Sequence, residues 1–230
     1  MTKMLVSVRN VAEALLAAGG GADFIDLKEP REGALGGLPP TTIAAVVAAL
    51  RRSGSSLPIS ATIGDLPTQP LAPVLAQVHA VAACGVDYVK VGVERSPDAA
   101  GLLCALAACG HAVVPVFIAD HGLDDTAVQL ACRLGFPGLM VDTADKAAGS
   151  LFDVMTAAEL RRFLHAVRAN GAMAGLAGAL RLQHLPAVRA LAPDFAGFRS
   201  AVCAGDRSAA LDPLRLQSLA EALRGSAVAV

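Results

Sequence analysis

The sequence feature that most constrains the fold is an eightfold alternation of short apolar runs with longer helical stretches. Each apolar run is continuous, as expected for a parallel strand that is covered on both faces. The predicted strands cover residues 4–8, 24–28, 58–63, 88–92, 112–119, 138–142, 173–178 and 195–199. The predicted helices follow them at 10–19, 41–52, 71–84, 97–109, 124–135, 156–171, 183–191 and 212–224.

Eight βα units in 230 residues predict an α/β fold, a single-domain (β/α)8 TIM barrel with few insertions. A helix end, a small turn, an aspartate and a strand recur in GGADFID (20–26), CGVDYVK (84–90) and LAPDFAGFR (191–199), as a repeated unit requires. An open, doubly wound sheet is the alternative, but no GxGxxG follows the first strand. We expect the barrel to span residues 1–224 and a tail to span 225–230.

The composition excludes several classes of protein. Hydrophobic residues make up 54% of the chain and charged residues 17%, which favours a large core over disorder. A net charge of -1 and only 3% aromatic residues argue against a nucleic-acid partner. No apolar run reaches the roughly 20 residues that span a bilayer, so we expect no membrane association.

The five cysteines form no CxxC pair, which is typical of reduced thiols in a cytoplasmic protein, and the start of the chain is too quickly polar for a signal peptide. The spacing of Cys104 and Cys109 does not match a zinc-ligand pattern, so we expect no metal. We also expect an alanine-rich barrel of this kind to form a homo-oligomer.

Lysine is scarce in this chain. Of the 19 basic residues only four are lysines, at positions 3, 28, 90 and 146, and the other 15 are arginines. A genome-level codon preference explains the arginines. Under that preference a remaining lysine is expected where arginine cannot substitute, because lysine forms Schiff bases and releases a proton near neutral pH, whereas arginine does neither.

Three of the four lysines fall at or just past the carboxyl ends of predicted strands, where TIM barrels carry their catalytic residues. Asp26 and Lys28 are two apart on strand 2 and therefore point to the same side. Lys90 lies on strand 4, Asp142 ends strand 6, and Lys146 follows in the loop. Ammonium groups placed close together lower one another's pKa, so a neutral amine can attack a carbonyl while a second lysine moves protons. The alternative interpretation is a purely structural ion-pair network.

A phosphate site is predicted at the ends of strands 7 and 8. The small residues around Gly178 and Ser200 let backbone N–H groups approach an anion, and Arg199 offers a bidentate contact. Asp65 and His121 also follow strand ends and are further candidates for substrate binding. The glycine-rich stretch 33–37 is predicted to form a loop over the barrel mouth, and it lacks the Gly-Lys-Ser/Thr ending of a nucleotide P-loop.

With these residues the chain resembles the (5-formylfuran-3-yl)methyl phosphate synthase family, also called 4-(hydroxymethyl)-2-furancarboxaldehyde-phosphate synthase. The matching segments are GADFIDLKEPREGALGG (21–37), PISATIGD (58–65), VDYVKVG (86–92), VDTADKAAGSLFD (141–153) and RSAVCAGDR (199–207). They span nearly the whole chain in order. The last segment departs from the family, which has glycine where this chain has Ser200, at the expected phosphate approach.

The resemblance implies a TIM barrel that joins two molecules of glyceraldehyde 3-phosphate into a phosphorylated furan aldehyde, on the route to methanofuran, with no cofactor. It implies that Lys28 forms the Schiff base and that Lys90 donates and accepts protons. It also implies that Asp26, Asp142 and Lys146 accompany them. Two other functions fit the same residues: a different Schiff-base aldolase of sugar phosphates, and a catalytically silent phosphate-binding barrel.

Overall fold

A computed structural model of the chain describes residues 1–145 and 149–225. The strands are β1 (Lys3–Val8), β2 (Phe24–Leu27), β3 (Ile59–Thr62), β4 (Tyr88–Val93), β5 (Val113–Ile118), β6 (Gly138–Asp142), β7 (Met173–Leu176) and β8 (Phe195–Phe198). The helices are α1 (Val11–Gly19), α2 (Pro40–Arg52), α3 (Leu71–Ala82), α4 (Ala99–Ala108), α5 (Asp125–Arg133), α6 (Leu151–Val154), α7 (Ala157–Ala169), α8 (Leu185–Leu191) and α9 (Pro213–Arg224).

The eight strands pair in parallel and in sequence order, and β8 pairs with β1 to close the barrel. This confirms the predicted single-domain TIM barrel. The register sets Ser7 of β1, Asp26 of β2 and Ser60 of β3 side by side. One step nearer the mouth, Thr62 of β3 lies beside Lys90 of β4. Polar side chains from four consecutive strands therefore converge on one side of the lumen.

Two separate apolar clusters hold this arrangement. The larger cluster lies between the barrel and its helices and takes the outward-facing residues of each strand, such as Ile25 and Leu27 of β2. The smaller cluster lies in the lumen and includes Phe24 and Phe195, whose ring centroids are 5.6 Å apart. Gly175 leaves space for the Phe195 ring, which a Cβ at that position would meet at 2.2 Å. The lumen is thus a packed core, as in other TIM barrels.

The element boundaries agree with the predicted ones to within about two residues, with small exceptions. The second helix is predicted from position 41, but α2 begins at Pro40, because proline suits the first helical turn, where its missing N–H is not needed. The four-residue α6 and the 3-10 turn Ser200–Val202 are not predicted, and the first residues of the predicted helix 183–191 belong to a 3-10 turn, Leu182–His184, that precedes α8. Gly225 ends α9 in a left-handed conformation, and residues 226–230 of the predicted tail lie outside the described residues. Within the described part of the chain, no helix is long and apolar enough to cross a membrane.

Candidate active site

Two lysines and two aspartates lie buried at the carboxyl end of the barrel. Lys28, Lys90, Asp26 and Asp142 are 6%, 2%, 0% and 1% exposed. The Lys90 Nζ lies 3.0 Å from the Asp26 Oδ1, and the Lys28 Nζ lies 3.8 Å from the Asp142 Oδ2. Charged groups are costly to bury unless they are paired. The sequence predicts that Asp26 and Lys28 point to the same side of strand 2 and that Lys90 and Asp142 enter from strands 4 and 6, and all four side chains line one cavity.

Asp26 is the most enclosed of the four and is held ionised. Burial alone would raise its pKa, but Lys90 and Lys28 outweigh burial, and the pKa of Asp26 lies below its ordinary value. Ser60 Oγ donates to its Oδ1 at 2.7 Å, and Ser7 Oγ donates to its Oδ2 at 3.1 Å. Asp26 is therefore a fixed carboxylate that orients the Lys90 ammonium.

The loop between β2 and α2 covers this cluster from above. Lys28 Nζ donates to the Ala34 carbonyl at 3.3 Å, and Leu35 is 1% exposed and packs into the lumen cluster. Thr62 Oγ1 holds the loop from β3 by donating to the Gly36 carbonyl at 2.9 Å. The cavity that remains beside Lys28 encloses about 30 Å³, room for about two water molecules.

The predicted substrate-binding residues fall into two groups. Gly178 and Ser200 line the cavity beside Lys28, as expected. Asp65 lies outside that cavity and accepts a hydrogen bond from the Leu35 N–H at 3.2 Å, so it anchors the loop. His121 is exposed and also lies outside the cavity lining. Lys146 lies outside the described residues.

Arg199 lines the cavity, but its side chain is committed to the protein. Its guanidinium forms a bidentate ion pair with the buried Glu13, with distances of 2.6 and 3.1 Å. The remaining N–H groups donate to the carbonyls of Ser7, Arg207 and Ala209. All five donors of the guanidinium are thus used. The expectation that Arg199 binds phosphate is not met in this geometry, because its position lets it join β8 to β1 and α1 instead.

The backbone beside the cavity is suited to an anion. Gly178 has φ of 112°, and Ala179 has φ of 47°, a left-handed conformation that side chains rarely adopt. A Cβ at Gly178 would lie 3.1 Å from Thr143 and Leu151. Among the described residues, the N–H groups of Gly178, Ala179, Leu180 and Ser200 donate to no protein acceptor. Strained backbone with free donors at a strand end is typical of a binding site.

Sequence reasoning missed the polar residues that support the lysines. Ser7, Ser60 and Thr62 are buried hydroxyls in otherwise apolar strands. They share the inward parity of Asp26 and Lys90, and that parity is the sequence signal that identifies them. It also missed Arg207, which lines the same cavity from the loop after β8. No three His, Cys, Asp or Glu side chains of the described residues lie together in a way that would hold a metal ion.

Solved structures with the same fold include several enzymes of phosphorylated substrates. Phosphoribosyl anthranilate isomerase from Thermus thermophilus superposes with a TM-score of 0.67 at 18% identity, covering 98% of this chain and 100% of that one. A 3-hexulose-6-phosphate synthase from Salmonella typhimurium gives a TM-score of 0.64, also at 18% identity, over 97% of this chain and 99% of that one. At such identities the likeness shows the fold alone.

Sequence relatives are much closer. The (5-formylfuran-3-yl)methyl phosphate synthase of Archaeoglobus fulgidus is 36% identical over 97% of this chain and 100% of its own length. That of Methanopyrus kandleri is 37% identical over 96% and 98%. A Methylorubrum extorquens protein, provisionally given the same name, is 41% identical over 96% and 92%. Residues 4–220 match the 4-HFC-P synthase family, and the chain belongs to that family.

Proposed function

We propose that this enzyme makes (5-formylfuran-3-yl)methyl phosphate from two molecules of glyceraldehyde 3-phosphate through a Schiff base on Lys28, on the route to methanofuran. The observation that carries the proposal is the buried pairing of two lysines with two aspartates beneath a backbone suited to phosphate. A structural ion-pair network would not need lysine at these positions. In an arginine-rich chain, buried lysines favour amine chemistry.

Lys28 is the nucleophile in this account. Its amine adds to the aldehyde carbon of one triose phosphate, water leaves, and an iminium forms. The iminium acidifies the C–H bond next to it, so loss of that proton creates a carbon nucleophile that joins the second triose. Asp142, 3.8 Å from the Lys28 Nζ, stabilises the cation and orients the amine.

Lys90 moves protons in this account. Its ammonium is held on Asp26 at 3.0 Å and faces the same cavity as Lys28. A positioned acid and base is required each time a C–H proton is removed and each time water or phosphate leaves. Asp26 is a positioning residue, because Ser7 and Ser60 fix its carboxylate and the carboxylate fixes Lys90.

The atom balance supports a lyase without an external oxidant or reductant. Two trioses supply six carbons and two phosphates, and the product keeps all six carbons and one phosphate. One inorganic phosphate and two waters leave. The reaction therefore needs no redox cofactor.

The proposal is tested by incubating the purified enzyme with glyceraldehyde 3-phosphate alone. We expect a furan absorbance band, the mass of the phosphorylated furan aldehyde, and one inorganic phosphate released per furan formed. Lys28→Arg keeps the charge but cannot form a Schiff base, so we expect it to abolish the product. The matched control is Lys3→Arg, because Lys3 is exposed and is the first residue of β1, at the end of the barrel opposite the mouth. This substitution should leave the rate of furan synthesis unchanged.

Three outcomes would contradict the proposal. A six-carbon sugar phosphate formed without furan or released phosphate would identify a Schiff-base aldolase instead. Undiminished furan synthesis by Lys28→Arg would exclude the iminium on Lys28. A triose phosphate that binds without turnover would favour a silent barrel.

A further inference from the structure

One cation that lines the cavity beside Lys28 keeps most of its hydrogen-bond donors unpaired among the described residues. Arg207 is half-buried and lines this cavity. Within the described residues its guanidinium makes one hydrogen bond, from Nη2 to the Gly33 carbonyl at 2.9 Å, and it forms no ion pair. Since a guanidinium has five N–H donors, most of its donors are available to a ligand. Arg199, in contrast, has none to spare.

The Arg207 backbone is held firmly in place. Arg199 Nε donates to the Arg207 carbonyl at 2.8 Å. On either side, Asp206 accepts from the Ser208 N–H and hydroxyl, and Cys203 pairs with Leu211 across the base of the loop. Arg199, whose donors are all used within the protein, therefore positions the backbone of Arg207. Preorganisation of this kind reduces the entropy that a side chain loses when it binds an anion.

The surroundings of Arg207 fit a phosphate dianion. The N–H groups of Gly178, Ala179 and Ser200, which donate to no acceptor within the described residues, border the same cavity, and Lys28 lies there as well. Charge-assisted hydrogen bonds from a guanidinium and several backbone N–H groups are the usual means by which proteins hold phosphate. Burial lowers the pKa of Arg207, and the nearby carboxylates of Asp142, Asp65 and Glu29 partly offset that effect. Within the described residues, none of these carboxylates forms an ion pair with its guanidinium.

We infer that Arg207 binds the phosphate group of the triose phosphate whose aldehyde reacts with Lys28, and that its hydrogen bond to Gly33 closes the β2–α2 loop over the bound phosphate. This inference rests on the proposed function and names the residue that selects phosphorylated aldehydes. The loop carries Ala34 and Leu35, so the same guanidinium joins phosphate recognition to enclosure of the reacting amine.

The experiment compares the wild-type enzyme with Arg207→Gln and Arg207→Lys. Inorganic phosphate is titrated by calorimetry, and Lys28 is trapped with borohydride in the presence of either glyceraldehyde 3-phosphate or unphosphorylated glyceraldehyde. We expect Arg207→Gln to weaken phosphate binding and trapping by glyceraldehyde 3-phosphate at least about tenfold, the usual effect of losing a charged hydrogen-bond partner. Trapping by glyceraldehyde should stay within about twofold of wild type, and Arg207→Lys should recover part of the loss.

The matched control is Arg95→Gln. Arg95 also joins two loops at the barrel mouth, because it donates to the His121 carbonyl, but it lies outside the cavity. It should bind phosphate as wild type does. The inference is overturned if Arg207→Gln binds phosphate normally, if wild type binds none, or if both aldehydes lose trapping equally. Absence of furan synthesis by the wild type would refute the proposed function alone, since phosphate binding and trapping are measured separately.

Discussion

The ion pair between Arg199 and Glu13 leads to a sharp prediction about stability. Arg199→Gln removes both contacts to the Glu13 carboxylate and the contacts to three backbone carbonyls. Glu13 is 6% exposed and, among the described residues, would keep the Arg9 backbone N–H at 3.0 Å and the Arg9 Nη2 at 3.4 Å. Breaking a buried pair from one side costs about 3–5 kcal/mol. For a chain of this length, the melting temperature should fall by about 6–20 °C.

Urea unfolding followed by far-ultraviolet circular dichroism measures this effect. We expect the midpoint to fall at an unchanged m-value, because the folded barrel is less stable but not less compact. Glu13→Leu combined with Arg199→Met should recover part of the loss, since the buried carboxylate is no longer unpaired. A loss below about 1 kcal/mol in Arg199→Gln would refute the reasoning that this arginine is a structural tie.

Three further predictions concern single residues. Lys90→Met should leave borohydride trapping of Lys28 within about threefold of wild type. Furan synthesis should fall at least about 100-fold, the usual contribution of general acid–base catalysis. Equal losses in both assays would refute the proton-transfer role of Lys90. Ala179→Gly relieves a left-handed alanine and should raise the free energy of unfolding by up to about 1 kcal/mol while weakening phosphate binding. The matched control is Ala192→Gly, because Ala192 also has φ of 47°, and it should change stability only. Equal phosphate affinities of Ala179→Gly and Ala192→Gly would contradict preorganisation at Ala179. The pKa of Glu13 is lowered in the folded state, because its arginine partners outweigh the effect of burial. Ionised Glu13 therefore contributes to the free energy of unfolding above its unfolded pKa, and this contribution is lost as pH falls through the folded pKa. The stability of Glu13→Gln should consequently fall less steeply with acid than that of the wild type.

The barrel and its four central charges could be predicted because they depend on local pattern. Continuous apolar runs predict buried parallel strands, and polar residues that interrupt those runs at the carboxyl end must face the mouth. Asp26 and Lys28 follow from strand parity, and Lys90 and Asp142 follow from the closure of the barrel, which brings all strand ends together.

The cation that we propose to bind phosphate, Arg207, could not be predicted in the same way. Arg199 stands at a strand end, where the fold favours a ligand contact, but Glu13 is 186 residues away in the chain, and no spacing reveals that the two meet. Arg207 lies in an irregular loop without periodicity. The insertion of Leu35 into the lumen likewise depends on the space left by Gly92, where a Cβ would lie 3.0 Å from the leucine side chain.

Borohydride reduction in the presence of glyceraldehyde 3-phosphate, followed by peptide mass analysis, tests the central claim most directly. The account predicts a single stable adduct on the peptide that contains Lys28, dependent on substrate and absent from Lys28→Arg. An adduct on another lysine, or inactivation of the enzyme without any adduct, would contradict it.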